Sequence, residues 1–218
     1  MRFRDRRQAG RELAERLSAL SLEGGLHRPV VLALPRGGAA VGLEVARALR
    51  APLDVLVARK IGAPFEEEFG VGAVAGDEPP LFDETSLAML GLDEADLAPA
   101  VDRERAELHR REELYRQGRP ALDLSGRTAV VVDDGVATGS TARAAVRSLR
   151  RRTPRRTVLA VPVAAPQAAD LLRPEVDELV CLYLPGDFRA VGGYYADFEQ
   201  LTDEDVLRAL SAAPQRRE

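Results

Sequence analysis

Apolar residues in this chain fall in short continuous runs that alternate with longer amphipathic stretches. Asp5 to Leu20 reads as a helix with Leu13, Leu17 and Leu20 on one face. Val30 to Leu34 is a short apolar run that ends at Pro35-Arg36-Gly37-Gly38, and Ala39 to Leu49 then follows helical spacing. Leu53 to Val57 is a second run, ending near Arg59-Lys60. Ala129 to Arg152 repeats the strand–loop–helix pattern, Val158 to Val163 adds a further strand, and Leu179 to Leu182 reads as another buried one. Runs without polar alternation belong to strands covered on both faces. The alternation predicts a parallel sheet flanked by helices, an α/β domain spanning residues 1–218. In such sheets ligands sit beyond the carboxyl ends of the strands, and the three loops of interest all lie there.

Residues 61–127 interrupt this rhythm. Phe69 to Ala75 and Pro80 to Asp83 suit a small hairpin, and Glu66, Glu67 and Glu68 suit a solvated turn. Ala100 to Gln117 reads as a highly charged helix, with Pro99 in its first turn and Glu107 placed to pair with Arg111. Val101, Leu108 and Tyr115 recur every seven residues and give it a narrow apolar stripe. Two placements stay open: a lid over the site, or a helix packed on the domain or on a second subunit.

The stretch from Ala129 to Thr141 carries the most chemistry. Val130, Val131 and Val132 favour a buried strand, because branching at Cβ suits the pleat. Asp133 and Asp134 follow, and neighbours on a regular strand point to opposite faces. They serve one ligand only where the backbone turns. Gly135 and Gly139 permit that turn, and Ser140 or Thr141 can cap the helix beyond it. A strand that feeds a helix N-terminus through such a loop offers free N–H groups to an anion. Paired carboxylates beside a phosphate cradle suit a ligand with both hydroxyls and a phosphate, such as a sugar phosphate. The loop lacks the Gly-Lys-Ser/Thr ending of a nucleoside-triphosphate cradle.

Composition narrows the possibilities. A chain of 218 residues with 45% hydrophobic and 30% charged residues is ordinary for a soluble domain. No apolar run approaches the roughly 20 residues that span a bilayer. Met1 to Arg7 is charged with no apolar stretch behind it, which argues against a secretory signal. Cys181 is the only cysteine, so no internal disulfide can form and a cytoplasmic home is expected. A net charge of −4 argues against a general nucleic-acid binder. Arg150, Arg151, Arg152, Arg155 and Arg156 are a local exception, read as a solvated helix end. His27 and His109 lack the partner spacing of a zinc site or catalytic dyad, and no protein-built metal site is expected. Lys60 is the single lysine in a chain that otherwise uses arginine, which singles out a point charge there.

The stretch from Ala129 to Thr141 resembles the phosphoribosyl-diphosphate motif of the type I phosphoribosyltransferases, with its apolar strand, two acids, Thr-Gly loop and helix. Pro35-Arg36-Gly37-Gly38 resembles that family's pyrophosphate loop, and Arg59-Lys60 the basic pair after its second strand. The Leu-Pro-Arg-Gly-Gly and Arg-Lys-Ile-Gly-Ala-Pro stretches are similar to bacterial stand-alone members. The resemblance implies a Rossmann-like sheet with an inserted helical segment and a small hood at residues 185–200. It implies that Asp133 and Asp134 hold the ribose, that Ala137, Thr138, Gly139, Ser140 and Thr141 hold the 5-phosphate, and that Arg36, Gly37, Gly38, Arg59 and Lys60 attend the pyrophosphate. Lys60 joins the two acids as a catalytic group. Phe188, Val191 and Asp197 are the implied base-side residues, while a plain core role for Tyr194 and Tyr195 stays open. A strained cis peptide is expected around Arg36-Gly37.

The activity implied is magnesium-dependent transfer of the 5-phosphoribosyl group from phosphoribosyl diphosphate to a nitrogenous base, with release of pyrophosphate, by a homodimer. Ala137 stands where the 6-oxopurine enzymes carry an Asp, so no acceptor is singled out. The alternative is a non-catalytic module that senses phosphoribosyl diphosphate and can dispense with Lys60 and the aromatic segment.

Overall fold

The computed structural model describes residues 3–214, apart from the side chain of Glu68. Its centre is a parallel sheet of five strands: β1 (Val30–Ala33), β2 (Leu53–Val55), β6 (Thr128–Val132), β7 (Arg156–Val163) and β8 (Glu178–Tyr183). Their order across the sheet is β2-β1-β6-β7-β8. All four residues of β1 and all five of β6 are buried, as continuous apolar runs require when both faces are covered. On one face lie α1 (Arg6–Leu22) and α2 (Gly37–Leu49), whose Leu13, Leu17, Val41 and Val45 cover Val31, Val130 and Val158. On the other lie α5 (Ser140–Ser148) and α6 (Pro166–Leu172). Their Ala142, Ala145, Val146 and Leu172 cover Leu32, Val131 and Leu159.

The strand order creates the site. From β1 the chain steps to β2 on one side, and it later returns on the other side as β6. The reversal leaves a crevice between the ends of β1 and β6, where an open α/β sheet binds its ligand. The two ends are in register: Ala33 pairs with Val132, and the Leu34 amide donates to the Val132 carbonyl at 2.9 Å. Whatever follows each strand therefore emerges beside its counterpart.

The inserted region differs from the expectation in three respects. It holds a separate antiparallel sheet of β3 (Ala58–Ala63), β4 (Glu66–Ala75) and β5 (Leu81–Phe82), followed by α3 (Glu84–Leu90). Glu66, Glu67 and Glu68 begin a strand rather than form a turn, because the reversal falls at Pro64-Phe65. Arg59 and Lys60 lie inside β3 rather than in a loop after β2. The charged helix is α4 (Ala98–Arg116), and its Leu108 and Tyr115 are fully buried against Val55, Ile61, Val71 and Val206 of the same chain. Its stripe thus packs on the second sheet and on the last helix, α7 (Asp203–Ala212).

Candidate functional site

Gly37 and Gly38 are the first turn of α2 rather than part of a loop, with Arg36 as the preceding cap residue. The cis peptide lies at Pro35-Arg36, one bond earlier than expected. Both glycines are pressed against the paired acids. A Cβ on Gly37 would stand 1.9 Å from Asp134 Oδ2, and one on Gly38 would stand 2.5 Å from the Val132 carbonyl oxygen and 3.1 Å from Asp133 Cα. Only glycine permits this approach. The segment after β1 and the bend after β6 thus form one surface.

Asp133 and Asp134 leave the strand where the ladder stops, and both are half-buried. The Asp134 amide donates to Asp133 Oδ1 at 2.8 Å. Burial and the neighbouring Asp134 charge push the Asp133 carboxyl well above the ordinary range. Burial also raises Asp134, with an arginine pulling back. That arginine is Arg6, from the first turn of α1: its Nε donates to Asp134 Oδ2 at 2.7 Å, and the side chains are 10% and 13% exposed. The Arg6 guanidinium also lies 3.8 Å over the Phe198 ring, and its Nη1 donates to the Glu199 carbonyl at 2.9 Å. Nothing in the motif points to Arg6. A signal exists nonetheless, since Arg6 falls on the stripe of Gly10, Leu13 and Leu17, where an apolar residue belongs.

Beyond the acids, the Val136 amide donates to Val163 and its carbonyl accepts from Ala165, each at 2.9 Å. This anchors the base of the following loop. Ala137 and Thr138 are exposed. The cap residue of α5 is Gly139, at φ 85, so neither Ser140 nor Thr141 caps the helix. The first helical bond runs from the Arg143 amide to the Gly139 carbonyl at 2.8 Å, so the amides of Ser140, Thr141 and Ala142 precede the helical ladder. Thr138 and Ser140 line a cleft of about 500 Å³ whose far wall includes Leu81, Phe82 and Asp83.

The structure separates Arg59 from Lys60. On β3, Ala58 packs with Ala144 of α5, while Arg59 donates through Nε to Glu104 of α4 at 2.9 Å. Alternation along the strand therefore places Lys60, which is exposed, on the α5 face. Arg59 shares a cleft of about 420 Å³ with Arg6, Arg36, Gly37, Arg111 and Phe198. Within it Arg36 pairs with Asp203 at 3.2 Å and donates to the Leu201 carbonyl at 2.9 Å. Asp203 in turn accepts from the Tyr115 hydroxyl at 2.6 Å, and burial raises that phenol to about 12.

The hood closes over the bend. A Cβ on Gly135 would meet Val191 Cγ1 at 2.6 Å. Tyr195 is buried and its hydroxyl donates to the Asp134 carbonyl at 2.5 Å. The Phe3 amide donates to Tyr194 at 2.7 Å, and the Ala196 amide donates back to Phe3 at 2.8 Å, which stitches the N-terminal segment to the hood. Phe188 stacks on Tyr194, centroids 5.6 Å apart, and packs against the sheet core. Asp197 is exposed, its Oδ1 accepting from the Glu199 amide at 3.2 Å. Cys181, expected to be buried, is half-buried beside the Tyr183 carbonyl.

The arginines after α5 are mostly paired: Arg150 with Glu175 at 3.0 Å, Arg151 with Glu78 at 2.6 Å and Arg156 with Glu178 at 2.6 Å. Pairing dilutes the basic patch: Arg150, Arg151 and Arg152 form the turn that ends α5, whereas Arg156 opens β7. Among the described residues no helix is long and apolar enough to cross a membrane.

Known proteins share this arrangement. The model of the phosphoribosyl transferase domain matches residues 3–199. A Mycobacterium tuberculosis (strain H37Rv) protein named "Putative phosphoribosyl transferase Rv0571c" is 43% identical over 211 residues, covering 97% of this chain and 47% of its own. The chain thus spans about half the length of the curated relatives it matches. The crystal structure of TT1426 from Thermus thermophilus is 48% identical, covers 96% of this chain and 98% of its own, and superposes with a TM-score of 0.79. A Neisseria gonorrhoeae protein solved with bound ppGpp shares the fold at 14% identity, with a TM-score of 0.52 over 97% of this chain and 98% of its own. With the matched domain running from the N-terminal segment through the hood, the chain belongs to the phosphoribosyl transferase domain family.

Proposed function

We propose that this protein transfers the 5-phosphoribosyl group of phosphoribosyl diphosphate to a ring nitrogen of a base and releases pyrophosphate. The observation that carries this reading is the contact of Gly37 and Gly38 with Asp134 and Asp133, which sets the cationic loop after β1 against the acidic bend after β6. A ligand with a diol in its middle and phosphates at both ends fits that surface.

The bend would hold the ribose, Asp134 accepting from one hydroxyl and Asp133, with its raised carboxyl, exchanging a hydrogen bond with the other. The negative charge the pair retains favours positive charge developing at the anomeric carbon. The 5-phosphate would lie on residues 137–141, where amides precede the ladder of α5. As the bond from the anomeric carbon to the diphosphate oxygen breaks, its electron pair leaves with the diphosphate. Arg36 and Arg59 would therefore bind the transition state more tightly than the ground state. Lys60, on the other face of β3, belongs to the α5 side of the site rather than to that cleft. Val191 and Asp197 would face the base, while the core-packed Phe188 keeps the hood in shape.

Among the described residues no three acidic, His or Cys side chains are grouped so as to hold an ion. The donor set suits magnesium carried on the substrate's own oxygens and water, with Asp133 and Asp134 at hand as hard oxygen donors. When bound it neutralises diphosphate charge.

The test is incubation of the protein with magnesium, labelled phosphoribosyl diphosphate and a panel of purine and pyrimidine bases. Base-dependent release of pyrophosphate is the expected result. Tight donor binding without turnover on any base would instead make the protein a sensor, and failure to bind the donor would remove the reading altogether.

A further inference from the structure

The helix α4 carries a charge where its packing calls for an apolar residue. Leu108 and Tyr115 mark its buried face, and Arg111 stands between them at i+3 and i−4, only 13% exposed. Placing a guanidinium there costs free energy that a surface position would avoid. Arg6 presents the same anomaly on α1, and both side chains open onto the cleft of about 420 Å³ shared with Arg36 and Arg59. Arg111 is held from behind: its Nε donates to Glu107 Oε1 at 2.7 Å. Glu107 stays ionised because Arg110 and Arg111 hold its carboxyl down at about 2. Arg111 lines the cleft together with Arg36 and Arg59.

We infer that Arg111 is a diphosphate-binding residue, supplied by the inserted helix to the cleft that Arg6, Arg36 and Arg59 share. The inference rests on the proposed reading of the site. It extends that reading by placing part of the recognition of the leaving group outside every motif. Each cleft arginine already has a carboxylate partner: Asp134 for Arg6, Asp203 for Arg36, Glu104 for Arg59 and Glu107 for Arg111. The acids fix the guanidiniums in place before a ligand arrives, so less conformational freedom is lost on binding. Arg111 alone among the four comes from the insertion's helix, and it ties that helix to the leaving group.

Calorimetric titration with two probes tests this. Inorganic pyrophosphate reports on the cleft, and ribose 5-phosphate reports on the bend and the 137–141 loop. Arg111→Met should weaken pyrophosphate about tenfold, near the value of one charge-assisted hydrogen bond, and leave ribose 5-phosphate affinity unchanged. Arg111→Gln serves equally if the first variant fails to fold. Unchanged pyrophosphate affinity would overturn the inference, and so would an equal loss for both probes, which is the mark of a merely structural arginine. Failure of the unaltered protein to bind either probe would instead strike the proposed function.

Discussion

The acidic bend and the arginine cleft adjoin each other, and they are built in opposite ways. The bend is local: Asp133 to Thr141 supplies both carboxylates, the turn and the helix start from nine consecutive residues. The cleft is assembled from Arg6 on α1, Arg36 before α2, Arg59 on β3 and Arg111 on α4, with Phe198 from the hood. One region is contiguous and rigid through backbone hydrogen bonds to β7. The other depends on four acids that hold four arginines in place. A local motif tolerates change elsewhere in the chain, whereas an assembled cleft is sensitive to every element that feeds it.

That contrast can be broken most sharply at the seam. Gly37→Ala puts a methyl carbon where Asp134 Oδ2 now lies. The carboxylate must move by an ångström or more, and such a misplacement costs on the order of a hundredfold in rate. Pyrophosphate release should fall accordingly while the α-helical circular dichroism stays intact.

Arg6→Met tests the link between the two regions. It leaves Asp134 largely buried beside Asp133 without its cation, a change that costs about 3 kcal/mol in comparable buried pairs. The sign of the pH dependence follows from the raised carboxyls. A folded-state pKa above the unfolded value gives stability that is lost as pH rises through the folded value. Removing the arginine raises that value further, so the gap between variant and parent in urea denaturation should widen as pH rises above the ordinary carboxylate range.

A smaller effect is expected at Glu175, whose side chain is buried beside α5, where it accepts from Arg147 and Arg143. These arginines hold its carboxyl at about 2, below the ordinary 4.5. The stabilisation is therefore complete above about 4.5 and lost as pH falls towards 2. Glu175→Gln should cost about 1–2 kcal/mol at neutral pH, because the arginine side of the cluster is solvated. The difference should vanish in acid. Arg151→Ala removes a pair with Glu78 and should change the melting temperature by at most about 4 °C, since such pairs contribute about 0–1 kcal/mol.

Reading the chain alone recovered the parallel sheet, because Val30–Ala33 and residues 129–132 are buried on both faces and are apolar throughout. It missed the second sheet in part. Glu66 to Glu68 carry three charges in a row, and local polarity conceals the pairing of Glu66 with Ala63 across the Pro64-Phe65 turn. It also treated Arg59 and Lys60 as partners, although neighbours on a strand face opposite ways. The opposite facing of the two side chains is legible once the strand is extended past Val57. Arg6 and Arg111 were visible only as charges on apolar stripes, a signal that says a residue is misplaced without saying what it meets.

The order of strands and helices and the nature of the bend are written in the local pattern of residues, since both follow from short-range rules of periodicity and backbone geometry. Which cations gather around the bend is a matter of long-range packing. Arg6 meets Asp134 across 128 positions of chain, because the strand order reverses between β1 and β6 and the N-terminal segment pairs with the hood. Long-range proximity of that kind is set by packing, and no local pattern encodes it.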